Sequence, residues 1–152
     1  IYTKGDIIRP QYISGESVIE RSIIGEGSEI HGEVYNSVIG PGVVIKKGSV
    51  VRNSIIMKQS FIGENVTIDK AIIAENVTVG NNVVMGVGED VPNKEKPSVY
   101  SFGLVTIGEN SVIPADVKIG INTAIVGETT PEDYPDGELA SGETLNKEGE
   151  TA

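Results

Sequence analysis

An aliphatic side chain returns along this sequence with a short, nearly fixed step: Ile13, Ile19, Ile24, Ile30, Val34, Ile39, Ile45, Val51, Ile56, Ile62, Ile68, Ile73, Val79 and Met85, then, after an interruption, Ile107, Ile113, Ile119 and Ile125. Most steps are six residues, a step of five recurs at one phase, and a single step of four joins Ile30 to Val34. Three consecutive steps sum to seventeen from Ile39 to Ile56 and again from Ile56 to Ile73, so a unit of three short segments repeats. Two residues before each aliphatic from Ile19 onward stands a small or β-branched residue, among them Ser17, Ser22, Ser28, Gly32, Ser37, Val43, Ser49, Ser54, Ser60, Val66 and Ala71. Side chains two apart on a strand share a face, so both members of each pair point inward. In the six-residue segments the residue three after the aliphatic is Gly27, Gly42, Gly48, Asn65, Asn76, Asn82, Asn110 or Asn122. Gly and Asn tolerate positive φ, and each such segment is expected to end in a tight turn there.

Strand and turn, three per coil, predict an all-β chain: a triangular parallel β-solenoid of about six coils, stacked at the usual strand spacing of about 4.8 Å into a prism roughly 30 Å long. No helical period is sustained. Residues 1–12 read as an extended linker containing Pro10 and residues 13–126 as the solenoid, interrupted by a loop at 86–104 that carries two prolines, Tyr100 and Phe102 and is expected to be ejected from one corner of the prism. Such a loop on a rigid scaffold either carries function or covers the end of a coil. Residues 127–152 are acidic and poor in aliphatics, and are expected to leave the solenoid as a tail.

The residue before each inward aliphatic faces outward. On one side of the prism these are Ile23, Val38, Ile55 and Ile72, a ridge roughly 15 Å long over three coil spacings. The other sides are mixed: Glu29, Val44, Phe61 and Thr78 on one, Val50, Thr67 and Val84 on the other. A contiguous apolar ridge marks a contact surface, so Ile23, Val38, Ile55 and Ile72 are candidate interface residues; the alternative is that they are strand formers only.

Composition narrows the chemistry. The 152 residues, 38% hydrophobic and 22% charged, suit one domain, and with aromatics at 5% and no Trp the interior must be filled by Ile and Val. No Cys is present, which excludes disulfides, thiolate-ligated zinc and a thiol nucleophile. His31 is the one histidine, so a metal site of several imidazoles is excluded, including that of the carbonic anhydrases built on this solenoid. A net charge of -10 disfavours the nucleic-acid backbone. No apolar run approaches the roughly 18 residues of a membrane span and no leader precedes the repeat, so the expectation is a cytoplasmic protein without nucleic-acid or membrane partners.

Few residues remain for chemistry. His31, at the four-residue step, is either the general base of a hexapeptide acyltransferase or an exposed turn residue. GVGEDV at 86–91 has half the spacing of a phosphate loop but opens no helix, and turn glycines account for it. Arg21, Arg52 and Lys70 fall at one corner and Lys46 and Lys47 at another. A column of cations can hold a phosphorylated metabolite, or can pair with Glu20 and Asp69 as a surface ladder.

The segment IYTKGDIIRPQYI, the runs ERSIIGEGSEIHGEVYNSVIGPGVVI, VVRNSIIMKQSFIGENVTI and KAIIAENVTVGNNV, and the Asn-Ser corners at 36–38 and 53–55 resemble the C-terminal domain of bacterial glucose-1-phosphate adenylyltransferase. The resemblance covers nearly the whole chain, and the linker and the Asn-Ser corners in this order are its specific part. It implies a left-handed β-helix, since handedness follows from the hexapeptide class and not from periodicity. It implies an enzyme that makes ADP-glucose and pyrophosphate from ATP and glucose 1-phosphate for glycogen synthesis, usually a homotetramer under allosteric control. Catalysis, with its magnesium and ATP, belongs in that family to an N-terminal nucleotidyltransferase domain whose motifs are not in this chain. This part is then expected to be catalytically silent, joining subunits and helping to bind a sugar-phosphate or nucleotide effector. In some relatives early-coil arginines contact the effector phosphate. The matching stretches here read GPGVVIKK and GENVTIDK, so Lys46, Lys47 and Lys70 are the candidate contacts, with Arg52 beside Lys70's corner. The runner-up readings are a free-standing acyltransferase using His31 and a purely structural solenoid.

Overall fold

The computed structural model describes residues 12–15, 17–96, 98 and 102–147. Twenty strands of two to four residues alternate among three parallel sheets, which form the faces of a prism. Face one stacks Tyr12–Ile13, Glu29–Ile30, Val44–Ile45, Phe61–Ile62, Thr78–Val79 and Val112–Ile113. Face two stacks Val18–Glu20, Glu33–Tyr35, Val50–Arg52, Thr67–Asp69, Val84–Met85, Lys118–Ile119 and Glu138–Leu139. Face three stacks Ile23–Ile24, Val38–Ile39, Ile55–Ile56, Ala71–Ile73, Val105–Ile107, Thr123–Val126 and Thr144–Asn146.

The expected inward aliphatics form the core: from Ile30 to Ile125 every one is buried, and the residues two before them are buried as well. Each aliphatic lies on its counterpart one coil away, as Ile45 does between Ile30 and Ile62. The inward serines bridge coils. Ser54 Oγ donates to the Arg52 carbonyl at 2.6 Å and accepts from the Ala71 N–H at 3.1 Å, and Ser37 does the same between Tyr35 and Ser54. A small hydroxyl there satisfies backbone groups that the sheet ladders leave unpaired at the corner.

All eight Gly and Asn positions singled out in the six-residue segments have positive φ. The five-residue corner follows another rule: Arg21, Asn36, Asn53 and Lys70, two residues after the aliphatic, take φ of 50, 52, 51 and 57°. Left-handed backbone costs an ordinary residue about 1 kcal/mol, so Arg21 and Lys70 are held there by the stacking of the coils. The four-residue step turns at Gly32, where an added Cβ would lie 2.4 Å from the Ser49 carbonyl oxygen. Only glycine fits so close an approach.

Two expectations need correction. Seven strands on faces two and three exceed the six coils expected, because the acidic stretch 127–152 does not leave the solenoid. Glu138–Leu139 pairs with Lys118–Ile119 and Thr144–Asn146 with Thr123–Val126, adding a seventh coil. On face one of that coil the 3-10 turns Pro131–Asp133 and Pro135–Gly137 replace a strand, and Tyr134 between them inserts into the core at 2% exposure. Residues 148–152 and most of the linker 1–12 lie outside the described residues.

Candidate functional site

The four candidate effector cations fall on two different corners. Lys46 and Lys47 precede Val50–Arg52, at the corner between faces one and two, while Arg52 and Lys70 sit at the corner between faces two and three. The three-residue width of face two, about 10 Å of strand, separates them.

At the first corner the four-residue step removes two residues that neighbouring coils possess, and leaves a recess of about 250 Å³ lined by His31, Gly32, Glu33, Lys47, Gly48, Ser49 and Asn65. His31 and Lys47 are thus brought together, which spacing along the chain does not reveal. The ring of Tyr12 lies 5.4 Å from that of His31, tilted by 40°, and among the described residues no carboxylate hydrogen-bonds to the imidazole. A general base needs such an orienting partner. The Lys46 ammonium stands 5.8 Å from the centre of the Phe61 ring, a cation–π contact that covers an exposed aromatic.

At the second corner Glu20, Tyr35, Arg52 and Asp69 stack in register, and the left-handed residues Arg21, Asn36, Asn53 and Lys70 follow them. The described residues form two ion pairs, Lys94 with Glu143 and Lys147 with Asp133, and neither is here. Amides and rings replace the ladder of charges. Asn36 Nδ2 donates to Asn53 Oδ1 at 2.8 Å, Asn53 Nδ2 donates to Asp69 Oδ1 at 3.1 Å, and the Arg52 guanidinium lies 5.4 Å from the Tyr35 ring centre. The Tyr35 hydroxyl donates to Glu33 at 2.5 Å, and that bond, with burial and the nearby carboxylates, raises the phenol above its ordinary pKa. Lys70 also borders a groove of about 550 Å³ with Asp69, Asp90, Gly103 and Phe102. Two carboxylates beside one ammonium make this groove a poor anion site.

The loop at 86–104 defines the far wall of that groove. It leaves face two through Gly86, where φ is 95° and an added Cβ would lie 2.1 Å from the Asp69 carbonyl oxygen. Instead of projecting away, residues 90–94 of the loop lie along the corner over the last two coils. Asn122, fully buried at φ 58°, donates to the Val91 carbonyl at 2.7 Å and Asp90 Oδ1 at 3.0 Å and accepts from the Gly103 N–H at 2.7 Å. Asn93 Nδ2 donates to the Asn122 carbonyl at 2.9 Å and to Thr144 Oγ1 at 3.0 Å, while its Oδ1 accepts from the Glu95 and Lys96 N–H groups. The loop is therefore a strap that covers coil ends. Tyr100 lies outside the described residues, and Phe102 is exposed. The sequence reading identified neither Asn93 nor the anchoring role of Asn122, since a loop asparagine carries no periodic signal.

On face three Ile23, Val38, Ile55 and Ile72 stack in direct register, as expected. Ile23, Val38 and Ile55 are 68, 43 and 43% exposed, whereas Ile72 is half-buried. Among the described residues no group of three or more His, Asp or Glu side chains is placed to hold a metal ion. No helix among them is long and apolar enough to cross a membrane.

Comparison with known proteins places this architecture. The glucose-1-phosphate adenylyltransferase of Lachnospira eligens is 59% identical over 99% of this chain and 36% of its own. Those of Acetivibrio thermocellus and Thermotoga neapolitana are 42% and 53% identical, over 99% and 93% of this chain and 35% and 34% of theirs. The chain thus spans about a third of the length of these relatives, which bear the name that the Asn-Ser corners and linker pointed to. Among solved structures, the acetyltransferase domain of PglB from Neisseria gonorrhoeae FA1090 superposes with a TM-score of 0.54 at 20% identity, over 88% of this chain and 56% of that one. A putative acetyltransferase from Desulfovibrio desulfuricans G20 gives 0.55 at 18%, over 90% and 26%. At such identities the likeness shows the fold alone. A family model described as GlmU-like, C-terminal hexapeptide, matches residues 11–107. With that match over most of the repeat, the chain belongs to the GlmU-like C-terminal hexapeptide family.

Proposed function

We propose that this chain is the non-catalytic C-terminal portion of a glucose-1-phosphate adenylyltransferase, the enzyme that joins ATP and glucose 1-phosphate into ADP-glucose and pyrophosphate. Its work is to assemble subunits and to help bind an effector. The observation that carries this reading is identity of 42–59% along 99% of the chain to one third of enzymes of that name. ATP, magnesium and the transfer step then belong to the preceding two thirds. The experiment is an assay of ADP-glucose formation by residues 1–152 and by the same chain extended upstream through its reading frame. Activity in the extended protein alone is expected. Activity in residues 1–152, or none in the extended protein, overturns the reading.

Subunit contact is assigned to the face-three ridge, where three exposed aliphatics lie in one line. Ile55→Glu, placing a charge at its centre, is expected to shift sedimentation toward smaller species, and an unchanged profile refutes the assignment. For a phosphorylated effector the corner of Lys46 and Lys47 suits better than that of Arg52 and Lys70, because one carboxylate, Glu33, lines the recess of Lys47 whereas two, Asp69 and Asp90, share the groove of Lys70.

A further inference from the structure

One hydrogen bond recurs from coil to coil at the corners. A residue in left-handed conformation donates its N–H to the carbonyl just before the left-handed residue of the preceding coil. Asn65 reaches Lys47 at 3.2 Å and Asn82 reaches Glu64 at 2.9 Å at the corner between faces one and two. Asn53 and Lys70 do the same to Tyr35 and Arg52, and Gln59 to Pro41, at the other two corners. Gly48, at φ 81°, breaks the series. The coil before it makes the four-residue step from Ile30 to Val34, which contains no left-handed residue and so presents no carbonyl at that place. The Gly48 N–H has no acceptor among the described residues, and the recess of about 250 Å³ stands where the missing turn would be.

Other groups in the recess are free to bind as well. The Asn65 carboxamide forms no hydrogen bond among the described residues, whereas Asn82 in the same column donates from Nδ2 to Asp116 Oδ1 at 2.9 Å. A Cβ added at Gly48 would lie 2.2 Å from Asn65 Oδ1, so the amide reaches back across the turn and glycine leaves room for it. Lys47 lines the recess without an ion pair, since the two pairs of the described residues lie elsewhere. On the preceding coil Glu33 accepts the Tyr35 hydroxyl on one oxygen, and its other oxygen accepts from no described group. Ser49 is already engaged: its Oγ donates to the Gly63 carbonyl at 2.6 Å and accepts from the Val66 N–H at 3.0 Å.

We infer that this recess binds a sugar phosphate, its phosphoryl group on the Gly48 N–H, the Lys47 ammonium and the Asn65 amide, and a sugar hydroxyl on Glu33. The inference deepens the effector reading proposed above and rests on it for the ligand's regulatory role. Two features of the recess select this class. A phosphoryl group carries three terminal oxygens, one for each of three donors that come from three different positions, and one of those bonds is charge-assisted. The free Glu33 oxygen repels a bare anion but accepts from a hydroxyl on the molecule that carries the phosphate.

The test uses the full-length protein at constant ionic strength, so that screening does not change. Glucose 6-phosphate and ribose 5-phosphate are the probes, and hydrogen exchange at the Gly48 amide is the readout. At saturation exchange is expected to slow about tenfold with at least one of them. Lys47→Gln, at an exposed side chain, is expected to weaken the apparent affinity about tenfold. Lys118→Gln, exposed on face two, is expected to leave it unchanged. Inorganic phosphate is expected to require a concentration about tenfold higher, because it brings Glu33 a charge and no sugar hydroxyl. Exchange that both sugar phosphates leave unchanged overturns the inference, as does slowing that Lys47→Gln keeps in full, and equal potency of inorganic phosphate overturns the sugar. Slowed exchange at Gly48 with no change in the rate of ADP-glucose formation would instead refute the effector role proposed above and leave the site in place.

Discussion

Replacing Asn122 by Gly and by Ala separates what its side chain does from what its backbone does. The buried amide makes three hydrogen bonds, to Val91, Asp90 and Gly103, from a residue at φ 58°. Gly keeps the backbone conformation and loses all three; at about 1 kcal/mol net each, Asn122→Gly costs about 3 kcal/mol. Ala loses the same bonds and adds about 1 kcal/mol for left-handed backbone, so Asn122→Ala costs about 4 kcal/mol. Asn110 is the control: it has φ 60° but is exposed, and Asn110→Gly should fall within about 0.5 kcal/mol of wild type. The assay is urea denaturation followed by circular dichroism, with tryptic cleavage at Lys94 reporting release of the strap. Asn122→Gly within about 0.5 kcal/mol of Asn110→Gly would refute the reasoning, because the strap would then be seated by something other than this amide.

Tyr134 gives an alkaline signature. Burial pushes its phenol up to about 12 from 10.0, against a weaker opposing effect of the 2.8 Å bond to Thr129. A raised folded pKa means stability fully present below pH 10 and lost as pH rises toward 12, with roughly 2 kcal/mol at stake; urea midpoints between pH 8 and 11.5 should fall less steeply in Tyr134→Phe, and an equal slope refutes the assignment. Ser54→Ala removes both the acceptor of the Ala71 N–H and the donor to Arg52, and is expected to lower stability by about 2 kcal/mol in thermal or urea unfolding. A loss below about 0.5 kcal/mol would mean that the corner relaxes to the direct backbone bond that Val105 makes to Lys70.

Most of the solenoid was legible because burial repeats: inward aliphatics from Ile30 to Ile125 and the six-residue corners obey one spacing. What was missed has specific physical causes. Arg21 and Lys70 carry no residue-type signal for left-handed backbone, since the stacked neighbours impose it. The seventh coil hid behind a step of fourteen residues from Ile125 to Leu139, filled by 3-10 turns. Its mark was nevertheless present: Leu139 and Leu145 are six apart, and Gly142, three after Leu139, has φ 82°. The division of the candidate cations between two corners was also legible, but the meeting of Lys47 with His31 depends on a recess created by two absent residues. Deletion leaves no side chain to read.

A repeating ladder poses a problem of identity during folding. Strands seventeen residues apart pair between 44 and 61 and between 61 and 78, and the interior they offer is nearly the same each time. A strand that skipped one rung would find an almost equivalent partner, so those coils alone discriminate poorly against slippage. Unequal rungs supply the missing labels. The rise from Glu29 to Val44 is fifteen residues, and that from Thr78 to Val112 is thirty-four. The strap then ties Asn93 to Thr144, fifty-one residues on. These irregularities act as index marks, and shortening the loop until every rung matched would leave a chain free to assemble in several offsets of itself.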